Sequence, residues 1–390
     1  MRPPPRQGTD ATGKVSPPLF LHVCPSFEVG GVQDRTVAIL NDLGPRARHV
    51  IIALDRNYAC AHRLDADVSF EVSHGAWTGA RPFKSFLSSY RTLRAWRPDF
   101  FLTYNWASLE WAAANLFRHA CPHIHHEDGF GPEESEHQLT RRVLFRRLAL
   151  LRSSALIVPS RSLYRLARET WRIPPRILHH IPNGIDCRRY TAKRREAGTA
   201  AGTKELVLGS LAPLRPEKGL DVLLRLVADL SRHYALRLMI AGEGPERQRL
   251  EVLADELDLR ARVEFLGQVD DVGEVLSRLD VFVVTSKTEQ MPLSVLQAMA
   301  AGRAVAAFDV GDIKEMVAAG NRSFLVARGD RRALQQALTR LLEDRELRLE
   351  IGAANARKVA EVYPQSAMLA AHESLYETLL PARLGAGLRA

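Results

Sequence analysis

The sequence predicts an α/β protein built from two doubly wound domains, each with a parallel sheet. Short, nearly continuous apolar runs alternate with amphipathic segments along most of its 390 residues, which is typical of buried parallel strands joined by helices. This length suits two or three domains of about 150 residues each. The content of 46% hydrophobic and 25% charged residues matches a globular protein and excludes a fibrous or wholly disordered chain.

The first domain is predicted to span residues 18–186, after a polar N-terminal tail at residues 1–17 that is expected to be disordered. Its predicted strands are residues 19–25, 49–54, 100–104, 123–126 and 155–159, and its clearest helices are residues 91–96, 108–117 and 134–151. In the last helix, leucines share one face and two arginines lie on another: Leu144, Leu148, Leu151, Arg142 and Arg146. This pattern is typical of an amphipathic helix that covers a sheet.

The periodic pattern pauses at residues 187–204, which we interpret as a linker. Alternation resumes in a second domain at residues 205–364, with strands predicted at residues 205–211, 236–241, 263–267, 280–286, 304–308 and 323–326. Residues 365–390 are expected to form a helix that packs back toward the first domain, followed by a tail. In such folds ligands bind outside the carboxyl ends of the strands, in the crevice expected between the domains.

Basic charge is concentrated in one window of the chain. Lys and Arg number 54 against 45 Asp and Glu, and residues 141–195 hold fifteen basic residues against Glu169 and Asp186. Such a window attracts an anionic membrane surface or an anionic substrate, and it is equally typical of a solvated arginine-rich surface. Nucleic acid is not an expected partner, because the sequence has no zinc finger and no aromatic RNA-binding motif.

Three features of the sequence favour a cytoplasmic protein. The four cysteines form no CxxC pair, no apolar run approaches the roughly 20 residues of a spanning helix, and the N-terminus lacks the apolar core of a signal peptide. Together with the basic window, they predict a cytoplasmic chain that attaches peripherally to the inner face of the cell membrane.

Three segments place ligand-binding groups after predicted strands. Gly30 and Gly31 open a helix, where backbone N–H groups can approach an anion, although such a pair is also common in turns. Arg215 and Lys218 have a spacing that can straddle a diphosphate, although two solvated loop cations would look the same. A helix is predicted over residues 292–301.

Two polar side chains accompany that helix. Glu289 precedes it, and Gln297 lies within it, about 8 Å along the axis from Pro292. A carboxylate and an amide are suitable partners for sugar hydroxyls. The segment therefore combines a phosphate-binding helix end with two groups that can bind sugars.

These segments resemble the motifs of the retaining glycosyltransferases of family 4, the glycosyl transferases group 1, which have the GT-B fold. Residues 288–302 resemble the family's Glu-x7-Glu motif, and residues 214–219 resemble its Arg-x-x-Lys-Gly diphosphate motif. Residues 181–186, 241–245 and 263–267 also follow the family's order. The resemblance extends from about residue 19 to residue 376 and is looser in the first domain. It implies two Rossmann-like domains with a cleft between them.

The resemblance also implies roles for individual residues. The groups that would bind the donor diphosphate, without a metal or other cofactor, are Gly30, Gly31, Arg215, Lys218, Met291, Pro292 and Leu293. Glu289 would act at the catalytic centre by binding the hydroxyls of the donor sugar. Gln297 stands where the family has a second Glu that binds the ribose, so weaker or altered nucleotide binding is expected.

One catalytic position is left open between two residues. The family commonly has a His near the reacting centre, and His126 is the nearest histidine, whereas matching through the neighbouring acidic and glycine residues puts Asp128 there. A carboxylate at this position could accept a proton or stabilise oxocarbenium-like charge. A metal site at His123, His125 and His126 is not expected, because residue 126 projects from the other face of the strand.

The sequence thus predicts a retaining, metal-independent glycosyltransferase that moves a hexose from a nucleoside-diphosphate sugar to a hydroxyl of a glycan or lipid-linked acceptor, as in polysaccharide, lipopolysaccharide or capsule biosynthesis. Two alternatives remain open. One is a nucleotide-sugar epimerase of the same fold. The other is a non-catalytic nucleotide-sugar-binding homologue, which Gln297 motivates.

Overall fold

In the computed structural model, the described residues are 16–73, 82–116, 121–134, 137–190 and 205–380. They divide into two compact units. The first unit holds the described residues up to Phe130, from Gln138 to Pro182 and from Ala367 onward. The second holds Gly131–His137 and Asn183–Ser366. The division falls after Pro182 rather than after residue 186, and most of the predicted linker, residues 191–204, lies outside the described residues, as do residues 1–15 and 381–390.

The first unit contains a seven-stranded parallel sheet in the order β3-β2-β1-β4-β5-β6-β7. Its strands are β1 Leu19–Cys24, β2 Arg48–Ala53, β3 Ser69–Val72, β4 Phe100–Tyr104, β5 His123–His126, β6 Ala155–Val158 and β7 Leu178–His180. The five predicted strands are all present; four are apolar runs that the sheet buries, and β5 is equally buried although three of its four residues are histidines. The sequence pattern misses β3, a largely exposed edge strand, and β7, which has only three residues.

Six helices accompany this sheet: α1 Gly31–Leu43, α2 Pro82–Trp96, α3 Leu109–Leu116, α4 Thr140–Ala149, α5 Arg161–Glu169 and, from the end of the chain, α13 Gln365–Leu379. The predicted helix at 134–151 is shorter than expected, because Leu139 is extended and caps α4. The orientation of α4 is also unexpected, since its leucines are exposed while Arg146 is buried. In α13, Met368 and Tyr376 enter the core of the first unit.

The second unit contains a six-stranded parallel sheet in the order β10-β9-β8-β11-β12-β13. The strands are β8 Leu206–Leu211, β9 Leu236–Ala241, β10 Val263–Gly267, β11 Val281–Val284, β12 Ala304–Phe308 and β13 Leu325–Val326. The helices are α6 Leu220–Leu230, α7 Arg247–Glu256, α8 Val272–Arg278, α9 Leu293–Ala300, α10 Ile313–Met316, α11 Arg331–Glu343 and α12 Arg345–Val362. All six strands lie where the sequence predicts them, although the last is only two residues long.

Each sheet has a point where the strand order reverses, between β1 and β4 in the first unit and between β8 and β11 in the second. The loops that follow two such strands leave to opposite faces, which opens space at the carboxyl edge of the sheet. Gly30, Lys218 and Glu289 lie on the segments that follow β1, β8 and β11, whereas Asp128 follows β5. None of the described helices has both the length and the apolar character that crossing a bilayer requires.

Candidate functional site

An ion pair marks the reversal point of the second sheet. Lys218 follows β8 and Glu289 follows β11, and the Lys218 Nζ lies 2.6 Å from the Glu289 Oε1. The Ser286 hydroxyl donates to the same carboxylate oxygen at 2.7 Å. Both charged side chains keep some access to solvent, 18% for Lys218 and 12% for Glu289. The structure thus brings together two of the residues that the sequence singles out, although they are far apart in the chain.

Backbone contacts fasten the loop after β8 onto the loop after β11. Gly219 has a left-handed backbone, with φ of 61°, and a Cβ there would lie 2.4 Å from the carbonyl oxygen of Thr285. The Thr285 hydroxyl donates to the carbonyl of Lys218 at 3.2 Å, and the Lys287 N–H donates to the carbonyl of Glu217 at 2.8 Å. Only glycine allows this approach, so the pair of Lys218 with Glu289 rests on a defined backbone.

The loop that carries Glu289 is held from two further sides. Gly311 is also left-handed, with φ of 60°, and a Cβ there would lie 2.3 Å from the carbonyl oxygen of Glu289. The amide of Asn183 donates from Nδ2 to the carbonyl of Met291 at 2.8 Å. No role for Gly311 is predicted from the sequence, and Asn183 is predicted only as part of a motif. The glycine after a buried strand is the signal that could have identified the first of them.

The helix α9 points its N-terminus at the same edge of the sheet. Pro292 is extended and caps the helix, which therefore begins at Leu293, one residue later than predicted. The N–H groups of Leu293 and Ser294 lie in its first turn, where the helix dipole favours an anion. Further along, the Gln297 Nε2 donates to the Tyr190 hydroxyl at 3.1 Å. This bond fixes the amide and leaves its carbonyl oxygen as an acceptor.

Arg215 stands at the start of the same loop as Lys218. It caps the short 3-10 turn Pro216–Lys218, and its side chain is exposed. Its location therefore lets it reach an anion bound near Lys218, as a long side chain with a bidentate guanidinium.

In the first unit, Gly30 and Gly31 lie at the start of α1, the helix that follows β1. Gly30 is the extended cap of the helix, and Gly31 is its exposed first residue. The turn that precedes them is closed by Gln33, whose Nε2 donates to the carbonyl of Ser26 at 2.9 Å. The two glycines thus leave the start of α1 uncovered by side chains of their own.

Asp128 is held by an arginine that the sequence analysis misses. It follows β5, and both of its carboxylate oxygens accept from the Arg35 guanidinium, with Nη2 at 2.8 Å from Oδ2. The Asp128 N–H also donates to the Asn105 Oδ1 at 2.8 Å. The two side chains are only 4% and 7% exposed. Burial opposes the charge of Arg35, yet the adjacent Asp128 raises the pKa of Arg35 above its ordinary value.

His126 is packed inside the first unit. Its ring stacks on Tyr104 at 4.8 Å and on His372 at 5.7 Å between centroids. Burial, followed by the nearby charge of Arg35, lowers the pKa of His126 well below its ordinary value, so the ring is neutral. Neither ring nitrogen has a hydrogen-bond partner within the part of the chain that the structure describes. Of the two candidates, His126 is buried, whereas Asp128 is partly buried and pairs with Arg35.

The other two histidines of this strand, His123 and His125, lie within hydrogen-bond distance of Thr103 inside the sheet. The Thr103 hydroxyl lies 2.8 Å from His123 Nε2 and 2.7 Å from His125 Nδ1. Across the described ranges, no group of three or more His, Cys, Asp or Glu side chains is arranged to hold a metal ion.

Two family models match the two halves of the chain. Residues 29–189 match the model described as Glycosyltransferase Family 4, and residues 193–359 match the model described as Glycosyl transferases group 1. The second half of the chain thus carries the group 1 glycosyltransferase domain, and the first half carries the Family 4 domain. The family resemblance found in the sequence is thereby confirmed.

Individual relatives agree with this family. The chain is 27% identical over 239 residues to the N-acetyl-alpha-D-glucosaminyl L-malate synthase of Bacillus anthracis, over 60% of this chain and 62% of that protein. It is 34% identical over 220 residues to the D-inositol 3-phosphate glycosyltransferase of Corynebacterium jeikeium, over 52% of each. The matches thus span between about half and three fifths of these relatives.

A solved structure shows the same fold. The Anabaena HepE structure, which holds UDP and glucose, superposes with a TM-score of 0.77 at 20% identity and covers 93% of this chain and 100% of its own. The predicted GT-B fold with two Rossmann-like domains is thereby confirmed.

Proposed function

We propose that this glycosyltransferase moves a hexose from a nucleoside-diphosphate sugar to a hydroxyl group of a glycan or lipid-linked acceptor. The observation that carries the proposal is the pairing of Lys218 with Glu289 at the reversal point of the second sheet, beside the N-terminus of α9. A cation and a helix N-terminus bind phosphate, and a carboxylate next to them binds sugar hydroxyls. One edge of one sheet thus offers groups for both parts of a sugar nucleotide.

Positive charge at this edge acts on the departing diphosphate. Lys218, Arg215 and the first N–H groups of α9 stabilise the negative charge that grows on the nucleoside diphosphate as the sugar leaves. These groups supply the role that a divalent metal has in other transferases, so we propose that the reaction requires no metal. The family resemblance supports transfer with retention of the anomeric configuration.

Glu289 has two partners at different stages of the reaction. Without donor, its carboxylate neutralises Lys218. When the diphosphate binds, Lys218 gains a second anion, and Glu289 accepts hydrogen bonds from the hydroxyls of the donor sugar. The sugar is thereby oriented next to the phosphate that leaves with the nucleoside.

On the acceptor side, the first unit contributes Asp128. The ion pair with Arg35 fixes the orientation of this carboxylate, which suits a group that accepts the proton of the acceptor hydroxyl or stabilises positive charge on the sugar ring. Gly30 and Gly31 supply backbone N–H groups at the start of α1.

The test is a turnover assay of the purified protein with UDP-, GDP- and ADP-hexoses, in which release of nucleoside diphosphate is measured with several acceptors and with water. We expect Lys218→Ala and Glu289→Ala each to lower kcat by about 10²–10³-fold, the usual loss on removing one stabilising group. Lys314→Ala is the matched control, because Lys314 forms an exposed ion pair with Asp309 at 3.2 Å in the same unit. Release of no nucleoside diphosphate, or full activity in both variants, contradicts the proposal.

Gln297 favours one second candidate, a protein that binds a sugar nucleotide without turning it over. An amide makes a neutral hydrogen bond to a ribose hydroxyl where a carboxylate makes a charge-assisted one. Nucleotide binding without product in the wild type, together with turnover in Gln297→Glu, is the outcome that distinguishes this candidate.

A further inference from the structure

A stripe of leucines lies on the outside of helix α4. Among the described residues, seven large apolar side chains are exposed, and three of them fall within eight residues: Leu144 at 55%, Leu148 at 49% and Leu151 at 61%. Leu144 and Leu148 are one helical turn apart, so they project from the same side, and Leu151 follows in the turn after the helix. A contiguous apolar stripe of this kind marks an interaction surface.

The inner face of α4 explains why the leucines point outward. Arg146 is fully buried, and its guanidinium lies over the rings of Trp106, Phe130 and Trp171, at 4.8, 5.4 and 4.7 Å from their centroids. Its Nε also lies 3.4 Å from the Glu127 Oε2. This buried cation, held by three rings and a carboxylate, fixes the rotation of the helix. The exposed leucines are therefore a fixed feature of α4.

Arginines surround the stripe. Arg141 and Arg152 are exposed next to the leucines on one side. On the other side, Arg147 donates to the carbonyl of Thr170 at 2.6 Å, which brings the end of α5 against α4, together with the exposed Arg168 and Arg172. Residues 138–182 contain ten arginines and a single acidic residue, Glu169. The surface thus combines an apolar stripe with a strongly basic border.

We propose that the outer face of α4, with Leu144, Leu148 and Leu151 bordered by Arg141 and Arg152, docks on an anionic lipid bilayer. The leucines enter the headgroup region and the arginines pair with lipid phosphates, as in amphipathic helices that lie in a membrane surface. A second copy of the chain is disfavoured, because it would bring the same arginines face to face. A polyanion such as RNA is also disfavoured, because it could pair with the arginines but offers no apolar region in which the leucines could be buried.

The position of α4 relates this docking to the first unit's candidate residue. Arg146 reaches from the inner face of α4 to Glu127, which directly precedes Asp128. The outer face is therefore about one helix diameter, on the order of 10 Å, from the strand end that carries Asp128. A bilayer held at α4 would keep lipid-linked acceptors near that end of the sheet.

The test is co-sedimentation of the purified chain with vesicles of phosphatidylcholine alone and of phosphatidylcholine with phosphatidylglycerol, at low and high salt. We expect binding to the anionic vesicles that weakens with salt. Replacing Leu144, Leu148 and Leu151 together by Ser should lower the partition coefficient about tenfold or more. Each of Arg141→Gln and Arg152→Gln should lower it about fivefold, since each removed charge costs about 1 kcal/mol at such a surface.

Matched controls come from the second unit. Val252 and Val362 are each 52% exposed, so a variant with both replaced by Ser tests exposed apolar area elsewhere, and Arg332→Gln with Arg357→Gln tests exposed charge. These variants should bind like the wild type. Hydrogen exchange on the unmodified chain is an independent readout, in which amides of residues 140–152 should gain protection on the anionic vesicles.

Several outcomes overturn the proposal. They are no binding of the wild type, protection that appears elsewhere but not at residues 140–152, and a leucine variant that binds as well as the wild type, which would make the arginines alone responsible. Sedimentation that shows a dimer dissociated by the leucine variant, without vesicle binding, would assign the face to a second copy. The proposal does not rest on the transferase activity, and turnover of soluble substrates by the leucine variant should equal that of the wild type.

Discussion

Each unit holds a charged pair at the carboxyl edge of its sheet, but the two pairs are held in different ways. In the second unit, Lys218 and Glu289 keep partial access to solvent, and glycine-dependent backbone contacts position them. In the first unit, Arg35 and Asp128 are almost wholly buried and are positioned by each other. The comparison teaches that the second unit's pair is free to exchange partners with a ligand, whereas breaking the first unit's pair leaves a buried charge.

The two units should differ most strongly in their stability at acid pH. Burial lowers the pKa of His49 to about 3 and of His372 to about 4, and it also lowers the pKa values of His22 and His126 well below the ordinary value. The unfolded first unit then binds more protons below about pH 6.5, so its stability is present above that pH and falls as pH decreases. Each such histidine contributes a slope of up to about 1.4 kcal/mol per pH unit.

The chain provides a selective probe for this experiment. The tryptophans within the described ranges, Trp96, Trp106, Trp111 and Trp171, all lie in the first unit, and residues 183–366 contain no tryptophan, so the fluorescence reports on the first unit. The described histidines of the second unit, His137 and His233, are exposed. Titration from pH 7 to pH 4 should change the tryptophan signal while the circular dichroism of the second unit's helices persists. Loss of both signals at one pH would mean that the contrast in buried histidines does not govern acid stability.

Removal of Arg35 should be the next largest effect. Arg35→Met leaves Asp128 buried without its cation, which costs about 3–5 kcal/mol of stability. Arg63→Met is the matched control. Arg63 pairs at 2.7 Å with Asp34, the neighbour of Arg35 in α1, but the Arg63 side chain is 23% exposed and the Asp34 side chain is 35% exposed. Exposed pairs of this kind contribute about 0–1 kcal/mol to stability. Urea unfolding followed by tryptophan fluorescence measures both. Equal losses of unfolding free energy in the two variants would show that burial of the Arg35–Asp128 pair does not increase its contribution to stability.

A glycine variant tests the backbone support in the second unit. Gly219→Ala forces a left-handed alanine, at about 1–2 kcal/mol, and pushes its Cβ against the Thr285 carbonyl. Gly329→Ala is the control: Gly329 also has a positive φ, 83°, but a Cβ there would have no atom within 4 Å. We expect Gly219→Ala to be the less stable of the two and to lose nucleotide affinity, as measured by calorimetry. Unchanged nucleotide affinity in Gly219→Ala would show that this loop does not support nucleotide binding.

The smallest expected effect concerns Gln297. A carboxylate at this position would replace a neutral hydrogen bond by a charge-assisted one, worth about 1 kcal/mol, or about fivefold in nucleotide affinity. Gln336→Glu, on an exposed position of α11, controls for the added charge. Titration of the nucleoside diphosphate into both variants measures the difference. If Gln297→Glu binds the nucleoside diphosphate no better than the control does, Gln297 does not contact the ribose.

The sequence predicts most of the fold because buried parallel strands are continuous apolar runs. It misses β3, whose residues are exposed, and it gives no sign that α4 turns its leucines outward, since a buried Arg146 among aromatic rings depends on tertiary contacts. The pairing of Lys218 and Glu289 follows from motifs on two neighbouring loops. The pairing of Arg35 with Asp128 could not be read in the same way, because an arginine inside a helix carries no local signal of a partner 93 residues away.

The central claim is that Lys218 binds the diphosphate while Glu289 binds the sugar, and a calorimetric comparison of free nucleoside diphosphate with the matching nucleotide sugar tests it most directly. In Lys218→Ala we expect both ligands to bind at least about tenfold more weakly, since a charge-assisted contact is lost. In Glu289→Ala, where the ammonium has no competing carboxylate, the free diphosphate should bind at least as tightly as to the wild type, and only the sugar's additional affinity should disappear. Wild-type affinity for both ligands in Lys218→Ala, or equal weakening of both in Glu289→Ala, would contradict the assignment.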